Sequence, residues 1–507
     1  MNTTTTLSQS SIILIVTFFI SIVLTFAFAV SMGWLLTPSE YGMLGVTQAL
    51  IAIIGLFITA AFPWVTAKFM AEPARQDKPT VFKSSLIANL GLACLLCLLL
   101  FLGYRFRWLP LGHDYQSLMI VIIIYVLIAS IGAIYRGSLQ GLLKFKQVGI
   151  VNCVQPISLL TASVVLALLG FGVLGAITGY IIAALISLVF LLYYTRGQGF
   201  LIDGSWKSKE VYSFALPMFL GIMGAQFLMN VDILGVKFFI PGISDIMAGY
   251  YRASLTISRI PVYLITAIMV AFLPLISYYA SNKQRVNYYS VRTVKYALIF
   301  ILPLCLTIFV IPKSLIVFIF PESYIAGATA LRILSIGMLL LALSYIYASV
   351  FQGVGKPKIP AFIMLGAIAI QIVCLYMLIP RYGLTGAAVS TTSACSLAFI
   401  LLQYMHAKHF GFGFSVTDLG KITLASVALV PVLYFFPMPG RALTVVGLLC
   451  GLGVFFAILI VTKVLHHTDA DILLSGVFDK ESRFRAKVVN LVRILNREAM
   501  NLNSGHR

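Results

Sequence analysis

The sequence predicts an all-α, multi-spanning membrane protein with about 14 transmembrane helices. Hydrophobic residues make up 61% of the 507 residues, charged residues only 10%, and the mean hydropathy is +1.03. Soluble proteins are about a quarter charged, so a water-soluble fold is excluded. The apolar residues form runs of about 18 or more, and at about 1.5 Å per residue such a run crosses a hydrocarbon core of about 30 Å.

The predicted spans follow one another with only short polar connections. The first run lacks the positively charged start of a cleaved signal peptide, so we expect helix one to be retained. The runs 211–234 and 247–272 both carry charges. The predicted spans are 11–33, 43–66, 84–103, 117–135, 150–170, 174–194, 211–234, 247–272, 296–311, 327–350, 360–379, 384–404, 422–437 and 442–463.

Lys and Arg are distributed unevenly among the connections, which predicts the orientation of the chain. With the N-terminus inside, the inner segments hold 26 Lys and Arg and the outer segments hold five. Cytoplasmic loops of membrane proteins carry this excess. We therefore expect a multi-pass protein of the cell inner (cytoplasmic) membrane with both termini in the cytoplasm. The net charge of +20 then reflects topology and contact with membrane lipids, without a nucleic-acid partner.

An internal repeat relates the two halves of the chain. Its matches include Tyr, Gln and Lys in fixed register, which apolar low-complexity sequence seldom produces by chance. Tyr135, Gln140, Gly141, Lys144 and Lys146 recur 212 residues later as Tyr347, Gln352, Gly353, Lys356 and Lys358. Gly172, Gly175, Ala176 and Tyr193 recur 211 residues later as Gly383, Gly386, Ala387 and Tyr404.

The repeat predicts a two-lobed architecture. The copies lie six predicted helices apart, and an even number makes them parallel, related by an axis along the membrane normal. We expect two six-helix lobes around a central cavity, as in an alternating-access transporter. The predicted parts are 1–205 (helices 1–6), 206–410 (helices 7–12), 411–465 (helices 13–14) and 466–507 (a cytoplasmic, basic amphipathic tail).

Motifs for enzymatic chemistry are absent from the sequence. There is no Gly-rich loop followed by Lys-Ser/Thr, so we expect no built-in ATP hydrolysis. There is also no long extramembrane segment with paired carboxylates or a Ser/His/Asp set. Cys94 and Cys97 have the spacing of a metal pair, but no second pair or His lies nearby. We expect no enzyme activity, no metal and no cofactor.

Five segments together resemble a known family. They are LLTPSEYGMLG (35–45), FALPMFLGIMGAQFLMNVDILGV (214–236), FFIPGISDIMAGYYRAS (238–254), FQGVGKPKIPA (351–361) and YGLTGAAVSTTSA (382–394). The sequence resembles the polysaccharide-transporter flippases of the multidrug/oligosaccharidyl-lipid/polysaccharide exporter superfamily. The resemblance implies that the protein moves a polyprenyl-diphosphate-linked oligosaccharide from the inner to the outer leaflet. This oligosaccharide would be used to build envelope polysaccharides. It also implies contact with a polysaccharide polymerase or glycosyltransferases.

Ionisable residues inside the spans are the candidate functional groups. A charge near the bilayer centre costs about 2.5–3.5 kcal/mol on insertion scales, so such residues face a bundle interior or a wet cavity. The five residues are Asp232, Lys237, Arg252, Arg259 and Arg332. Lys237 lies about one turn from the outer end of helix seven, so we expect it to snorkel to the interface.

The arginines predict a route for an anion. Arg252 and Arg259 are seven residues apart and share a helix face. Guanidinium groups bind diphosphates through a fork of donors, and the same charges repel a cationic drug. We therefore expect Arg252, Arg259 and Arg332 to line the path of an anionic headgroup. Asp232 lies at the depth of Arg252 on the preceding helix, so it either forms an ion pair there or binds a coupling ion.

Polar residues of helices four, five and seven complete the candidate set. Arg136, at the inner end of helix four, either catches the headgroup or is an ordinary positive-inside residue. Asn152 and Gln155 flank a bend at Pro156, and Asn230 lies in helix seven. These amides are candidates for sugar binding or for a hinge. Helix–helix hydrogen bonding explains them equally well.

Two other functions fit parts of the pattern. An ion-coupled multidrug exporter of the same superfamily would show acidic residues in the cores of both lobes, whereas Asp232 is the single carboxylate inside the predicted spans. A non-transporting scaffold for envelope assembly is compatible with the basic tail. It predicts that substituting Arg259 leaves polymer export intact.

Overall fold

The computed structural model of the chain describes residues 3–60, 62–72, 78–106, 111–112, 114–196, 224, 226–240, 242–411, 416–435 and 440–462. Every regular element within these ranges is helical, which confirms the predicted all-α class. Ten of the described helices are long and apolar enough to cross a membrane, or eleven when one bent pair counts as a span. The predicted tail, 466–507, lies outside the described residues, as do 211–223 of predicted helix seven.

The helices of the N-terminal half are α1 (Thr3–Leu35), α2 (Pro38–Ala60), α3 (Phe62–Ala71), α4 (Lys78–Arg105), α5 (Tyr115–Gly141), α6 (Phe145–Leu166) and α7 (Gly172–Thr195), with a π-helical turn Ala167–Phe171 between the last two. The remaining helices are α8 (226–239), α9 (Ser244–Ser258), α10 (Ile260–Tyr278), α11 (Lys283–Val310), α12 (Pro312–Ile319), a 3₁₀ turn Glu322–Gly327, α13 (Ala328–Gly353), α14 (Lys358–Phe410), α15 (Val416–Phe435) and α16 (Arg441–Val461).

Two repeat-related glycines share one unusual backbone conformation. Gly172 has φ 51° and ψ −136°, and Gly383, 211 residues later, has φ 54° and ψ −128°. This region of φ/ψ space is essentially open only to glycine. The helical segments around these kinks are 51 and 53 residues long, roughly twice what one membrane crossing needs. Each therefore makes two passes, as predicted, and the internal repeat is confirmed at its turn.

Predicted helix eight, 247–272, is not one continuous helix. α9 ends at Ser258 and α10 begins at Ile260, so Arg259 lies at the junction as the N-cap residue of α10. Pro261 follows at the start of α10. A proline lacks the backbone N–H that would continue the hydrogen-bond ladder, and its fixed φ suits a first turn.

Predicted helix nine, 296–311, begins too late. α11 starts at Lys283, where the side chain of Asn282 accepts a hydrogen bond of 3.0 Å from the N–H of Arg285. The charged residues Lys283, Arg285 and Arg292 were expected in a connection, but they form the first turns of this helix. The helix therefore begins at its capped N-terminus, although its first turns have the polar composition that predicted a connection.

The described contacts divide the chain into two compact units, each considered separately below. The first unit contains a core around Phe62, Val65, Phe82 and Ile134. The units do not follow the predicted lobe boundaries 1–205 and 206–410, which remain a prediction. The first unit comprises Met1–Thr256, Ile319–Ala330 and Pro357–Ala398, and the second comprises Ile257–Phe318, Leu331–Lys356 and Phe399–Arg507.

Candidate functional site

A cavity of about 200 Å³ lies inside the first unit, bordered by α2, α3, α5, α6 and α7. We call it the Arg136 cavity. Its volume is below the ~300–1,000 Å³ of pockets that enclose a drug-sized ligand, so it accommodates one part of a larger molecule. The polar and aromatic residues of its wall are Arg136, Gln140, Gln155, Thr59, Ser187, Trp64 and Tyr125.

Arg136 is held in place by an amide from the next helix. Its Nη2 donates a hydrogen bond of 2.7 Å to Oε1 of Gln155. Gln155 directly precedes Pro156, which lies inside α6. Gly137 allows α3 to approach closely, because a Cβ there would overlap the carbonyl oxygen of Pro63. The structure thus brings together Arg136 and Gln155, which the sequence predicted as candidates for separate roles.

Three wall residues were not recognised as site residues from the sequence. Gln140 lies one turn after Arg136 on α5, and this i, i+4 spacing is a signal that could have identified it. Trp64 and Tyr125 carry no such signal, because aromatic residues are common throughout the spans. Tyr125 packs edge-on against Tyr180, with ring centroids 5.5 Å apart. A guanidinium, two amides and two aromatic rings together suit a sugar that carries a phosphate.

A second polar cluster surrounds Asp232 on α8. This fully buried carboxylate accepts hydrogen bonds from the hydroxyl of Tyr251 (3.0 Å), the hydroxyl of Thr391 (3.2 Å) and the N–H of Ile233 (2.8 Å). Gln371 donates to Thr391 over 3.1 Å. The Oε1 atom of Gln371 is buried without a hydrogen-bond donor among the described residues. The cluster therefore offers a carboxylate and an amide oxygen as acceptors.

Arg252 of α9 packs against α2. A Cβ at Gly45 of α2 would lie 3.0 Å from Cγ of Arg252, so the arginine stem crosses this glycine. The ion pair between Asp232 and Arg252 stays a prediction.

Arg259 and Arg332 lie in the second unit. Arg259, at the α9–α10 junction, is only 5% exposed. Arg332 of α13 is exposed, and its Nε donates a hydrogen bond of 3.0 Å to the carbonyl of Phe309. That carbonyl belongs to the last turn of α11, where backbone acceptors lack helical donors. Arg332 therefore supplies a donor to the end of α11, and its role in a cargo path stays a prediction.

The remaining candidate amides are placed as follows. Nδ2 of Asn230 donates to the carbonyl of Gln226 in its own helix over 2.8 Å, and the side chain is 8% exposed. Asn152 lies one turn before Pro156 on α6 and is half-buried. Its carbonyl would accept from an N–H at position 156, which proline lacks. Asn152 is thus adjacent to the bend that the sequence identified.

Lys237 does not snorkel but forms a buried ion pair. Its Nζ lies 2.7 Å from Oδ1 of Asp245 and 4.7 Å from the ring centroid of Tyr115, and the residue is 7% exposed. The hydroxyl of Tyr115 donates to the same Oδ1 over 2.5 Å. The prediction failed because Asp245 was placed in a connection, and Tyr115 is 130 residues away in sequence.

Two glycines bring the same helix ends into contact. A Cβ at Gly42 of α2 would overlap the carbonyl oxygen of Asp245, and a Cβ at Gly249 of α9 would overlap that of Pro38. We call these contacts, together with Tyr115 and Lys237, the outer clasp. It joins α2 and α5 to α8 and α9, which the sequence assigns to different halves of the repeat.

Comparison with known proteins identifies the family. The model of a family described as "Polysaccharide biosynthesis protein" matches residues 7–280, more than half of the chain. The chain belongs to this polysaccharide biosynthesis protein family. This confirms the family resemblance predicted from the sequence.

Relatives and solved structures agree with the family. A Shigella flexneri protein described as "Putative O-antigen transporter" is 26% identical over 399 residues, covering 75% of this chain and 93% of the relative. The lipid II flippase MurJ, in an inward closed conformation, superposes with a TM-score of 0.72 at 15% identity and covers 87% of this chain and 97% of MurJ. A multidrug resistance MATE family transporter of the MOP superfamily, in an inward-facing conformation, superposes with a TM-score of 0.58 at 16% identity. The match covers 77% of this chain and 94% of that transporter.

This member of the polysaccharide biosynthesis protein family shares its fold with both solved structures. Its family and these neighbours are transporters and not enzymes, as predicted. At such low identity the structures establish the fold alone.

Proposed function

We propose that the protein is a flippase that moves a polyprenyl-diphosphate-linked oligosaccharide across the cytoplasmic membrane by alternating access. The observation that carries this proposal is the Arg136 cavity, in which Gln155 holds the guanidinium at 2.7 Å. A guanidinium binds phosphate oxygens through parallel donors, and its charge favours an anionic cargo. The rings of Trp64 and Tyr125 offer flat faces to a sugar.

The depth of Arg136 supports a role for the cavity in cargo entry. α5 begins at Tyr115, which the charge distribution assigns to the outer side. Arg136 is 21 residues further along, or about 31 Å at 1.5 Å per residue, roughly one hydrocarbon thickness. The cavity then opens toward the cytoplasmic leaflet, where a lipid-linked precursor is assembled. With this orientation both termini are cytoplasmic, and a glycosyltransferase or a polymerase would act before or after transport.

Further arginines extend the proposed path. Arg252 is half-buried against α2, and Arg259 is almost fully buried at a helix junction. Burial of a guanidinium inside a membrane protein generally marks a cavity or a substrate route. We propose that Arg252 of the first unit and Arg259 of the second unit each contact the diphosphate during transport. Arg332 contributes less, because it caps α11.

The energy source is proposed to act through Asp232. A buried carboxylate next to the free amide oxygen of Gln371 can bind a proton or a monovalent cation. Binding there would change the charge within α8 and α14. We propose that this change couples an ion gradient to the conformational cycle.

Multidrug export is the second candidate function, because the fold also matches a multidrug resistance transporter with a TM-score of 0.58. The sign of the charge in the Arg136 cavity opposes it. A cationic drug would be repelled by Arg136, since the structure shows no carboxylate among the residues that line this cavity.

A binding measurement separates the two functions. We expect Arg136→Gln to weaken binding of a labelled polyprenyl-diphosphate oligosaccharide about tenfold to a hundredfold, because a charge-assisted hydrogen bond is lost. Arg136→Lys should retain part of the affinity, since it keeps the charge without the fork. Arg105→Gln, which removes an exposed charge of α4, is the matched control. Unchanged cargo affinity in Arg136→Gln, or binding of a cationic dye at the cavity, would favour drug export.

A further inference from the structure

The segment between Asp245 and Glu322 has an extreme charge balance. It contains seven Lys and Arg and no Asp or Glu. Four of these cations, Lys283, Arg285, Arg292 and Lys295, lie within the first four turns of α11. The charge distribution predicts that this end of α11 faces the cytoplasmic leaflet.

Tyrosine rings order the first of these arginines. The rings of Tyr279 and Tyr289 are stacked, with centroids 5.0 Å apart and an interplanar angle of 18°. The guanidinium of Arg285 lies over Tyr279, 5.0 Å from its centroid. Tyr279, the C-cap residue of α10, therefore contacts both Arg285 and Tyr289 of α11. A flat guanidinium on a ring keeps its N–H groups in the ring plane, directed outward.

A second arginine is ordered in the same way, two turns further along. Nε of Arg292 donates a hydrogen bond of 2.7 Å to the hydroxyl of Tyr296, and Nη1 donates to the hydroxyl of Tyr288. Its guanidinium carbon is 5.3 Å from the ring centroid of Tyr288. We call Tyr279, Tyr288, Tyr289, Arg285 and Arg292 the tyrosine–arginine cluster.

The cluster is accessible from outside the protein. Tyr288 is 53% exposed, the neighbouring Tyr278 is 79% exposed, and Arg285 is exposed. The nearby Lys295 is paired with Asp418 of α15 at 2.8 Å. Exposed arginines between tyrosines at a helix end suit the level of lipid headgroups.

A general aromatic belt does not account for this arrangement. Belt tyrosines require only that each ring lies at the interface, with its hydroxyl toward water. Here the rings contact one another and fix two guanidinium groups on one side of the α10–α11 turn. Two preset guanidinium groups are a phosphate-binding arrangement, and phenol hydroxyls add donors for the remaining headgroup oxygens.

We propose that the tyrosine–arginine cluster binds the headgroup of an anionic phosphoglycerolipid in the inner leaflet. This lipid site is separate from the Arg136 cavity and belongs to the second unit. Its occupation would fix the level of the α10–α11 turn in the membrane. Each Lys or Arg near an anionic surface strengthens such binding about fivefold.

Lipid retention by the purified full-length protein tests the proposal. The protein would be placed in nanodiscs of phosphatidylcholine with a minor fraction of phosphatidylglycerol, and the lipids that remain bound would be counted by native mass spectrometry. We expect selective retention of phosphatidylglycerol, reduced about fivefold in Arg285→Gln and in Arg292→Gln. Lys83→Gln, an exposed cation of α4 on the same predicted side, should retain the lipid like the unaltered protein.

Three results would overturn the proposal. Equal retention of phosphatidylcholine and phosphatidylglycerol would show that the cluster is an ordinary aromatic belt without selectivity for anionic lipid. Equal loss in Lys83→Gln would indicate a general effect of net charge. Displacement of phosphatidylglycerol by an equimolar polyprenyl phosphate would assign the cluster to the cargo. Unchanged thermal unfolding temperatures of the variants ensure that a loss of lipid is not a loss of fold.

Discussion

Ionisable side chains inside the spans are stabilised by groups from other helices. Arg136 binds Gln155, Lys237 binds Asp245, and Arg332 binds the carbonyl of Phe309. The sequence identifies such residues because charges are rare in apolar runs and costly to bury. It does not identify their partners, because these depend on helix packing. The aromatic wall of the Arg136 cavity was missed for the same reason.

Asp232→Asn tests coupling at the scale of one residue. The amide has nearly the shape of the carboxylate, and the hydroxyls of Tyr251 and Thr391 can turn to accept its hydrogen bonds. We expect the variant to fold and to move cargo in the absence of a gradient. Stimulation of transport by an imposed proton or sodium gradient should be lost, because the titratable or ion-binding charge is gone.

Asp418→Asn is the control for this measurement. It makes the same chemical change at a carboxylate that is paired with Lys295 and does not belong to the Asp232 cluster. A gradient response that survives in Asp232→Asn, at the level of Asp418→Asn, contradicts the coupling role.

Glycines and prolines decide the geometry of the helical elements. The repeat predicted that Gly172 and Gly383 occupy equivalent positions, and their backbones agree within about 10° in φ and ψ. The break before Ile260 was missed, although Pro261 signals it, because the surrounding apolar run appears continuous. The outer clasp could not be predicted, since its glycines, Gly42 and Gly249, are 207 residues apart.

We expect the outer clasp to hold the outer end of the protein closed. Gly42→Ala forces a Cβ against the backbone of Asp245, and Lys237→Met removes the ion pair. Both changes should destabilise the closed outer end and shift the protein toward an outward-open state. The measurement is the labelling rate of a cysteine at Thr47, which is buried on α2, by a membrane-impermeant thiol reagent added outside. The seven native cysteines are first replaced.

Gly91→Ala of α4 is the matched control, because nothing lies within 4 Å of the added Cβ. Faster labelling is expected in Gly42→Ala and Lys237→Met and not in Gly91→Ala. If labelling of the two clasp variants equals that of Gly91→Ala, the clasp does not hold the outer end closed.

Two features of the sequence, its charge distribution and its internal repeat, predict the organisation of the whole molecule. The excess of Lys and Arg in the predicted inner segments predicts the orientation of the chain, and the repeat accounts for two-pass units that turn at a glycine. Fold class and family were predictable from these patterns, because they depend on composition and periodicity along the chain. The identity of the transported molecule was not, because it depends on where a few polar side chains converge. The proposed cargo therefore rests on the residues that line the Arg136 cavity.

Flipping by purified protein in liposomes tests the central claim most directly. A fluorescent polyprenyl-diphosphate oligosaccharide is placed in both leaflets, and its transfer is followed by a reagent that quenches only the exposed leaflet. We predict protein-dependent transfer that is lost in Arg136→Gln and in Arg259→Ala and is retained in Arg105→Gln. Transfer equal to that of protein-free liposomes, with folded protein and several sugar types, would contradict the account.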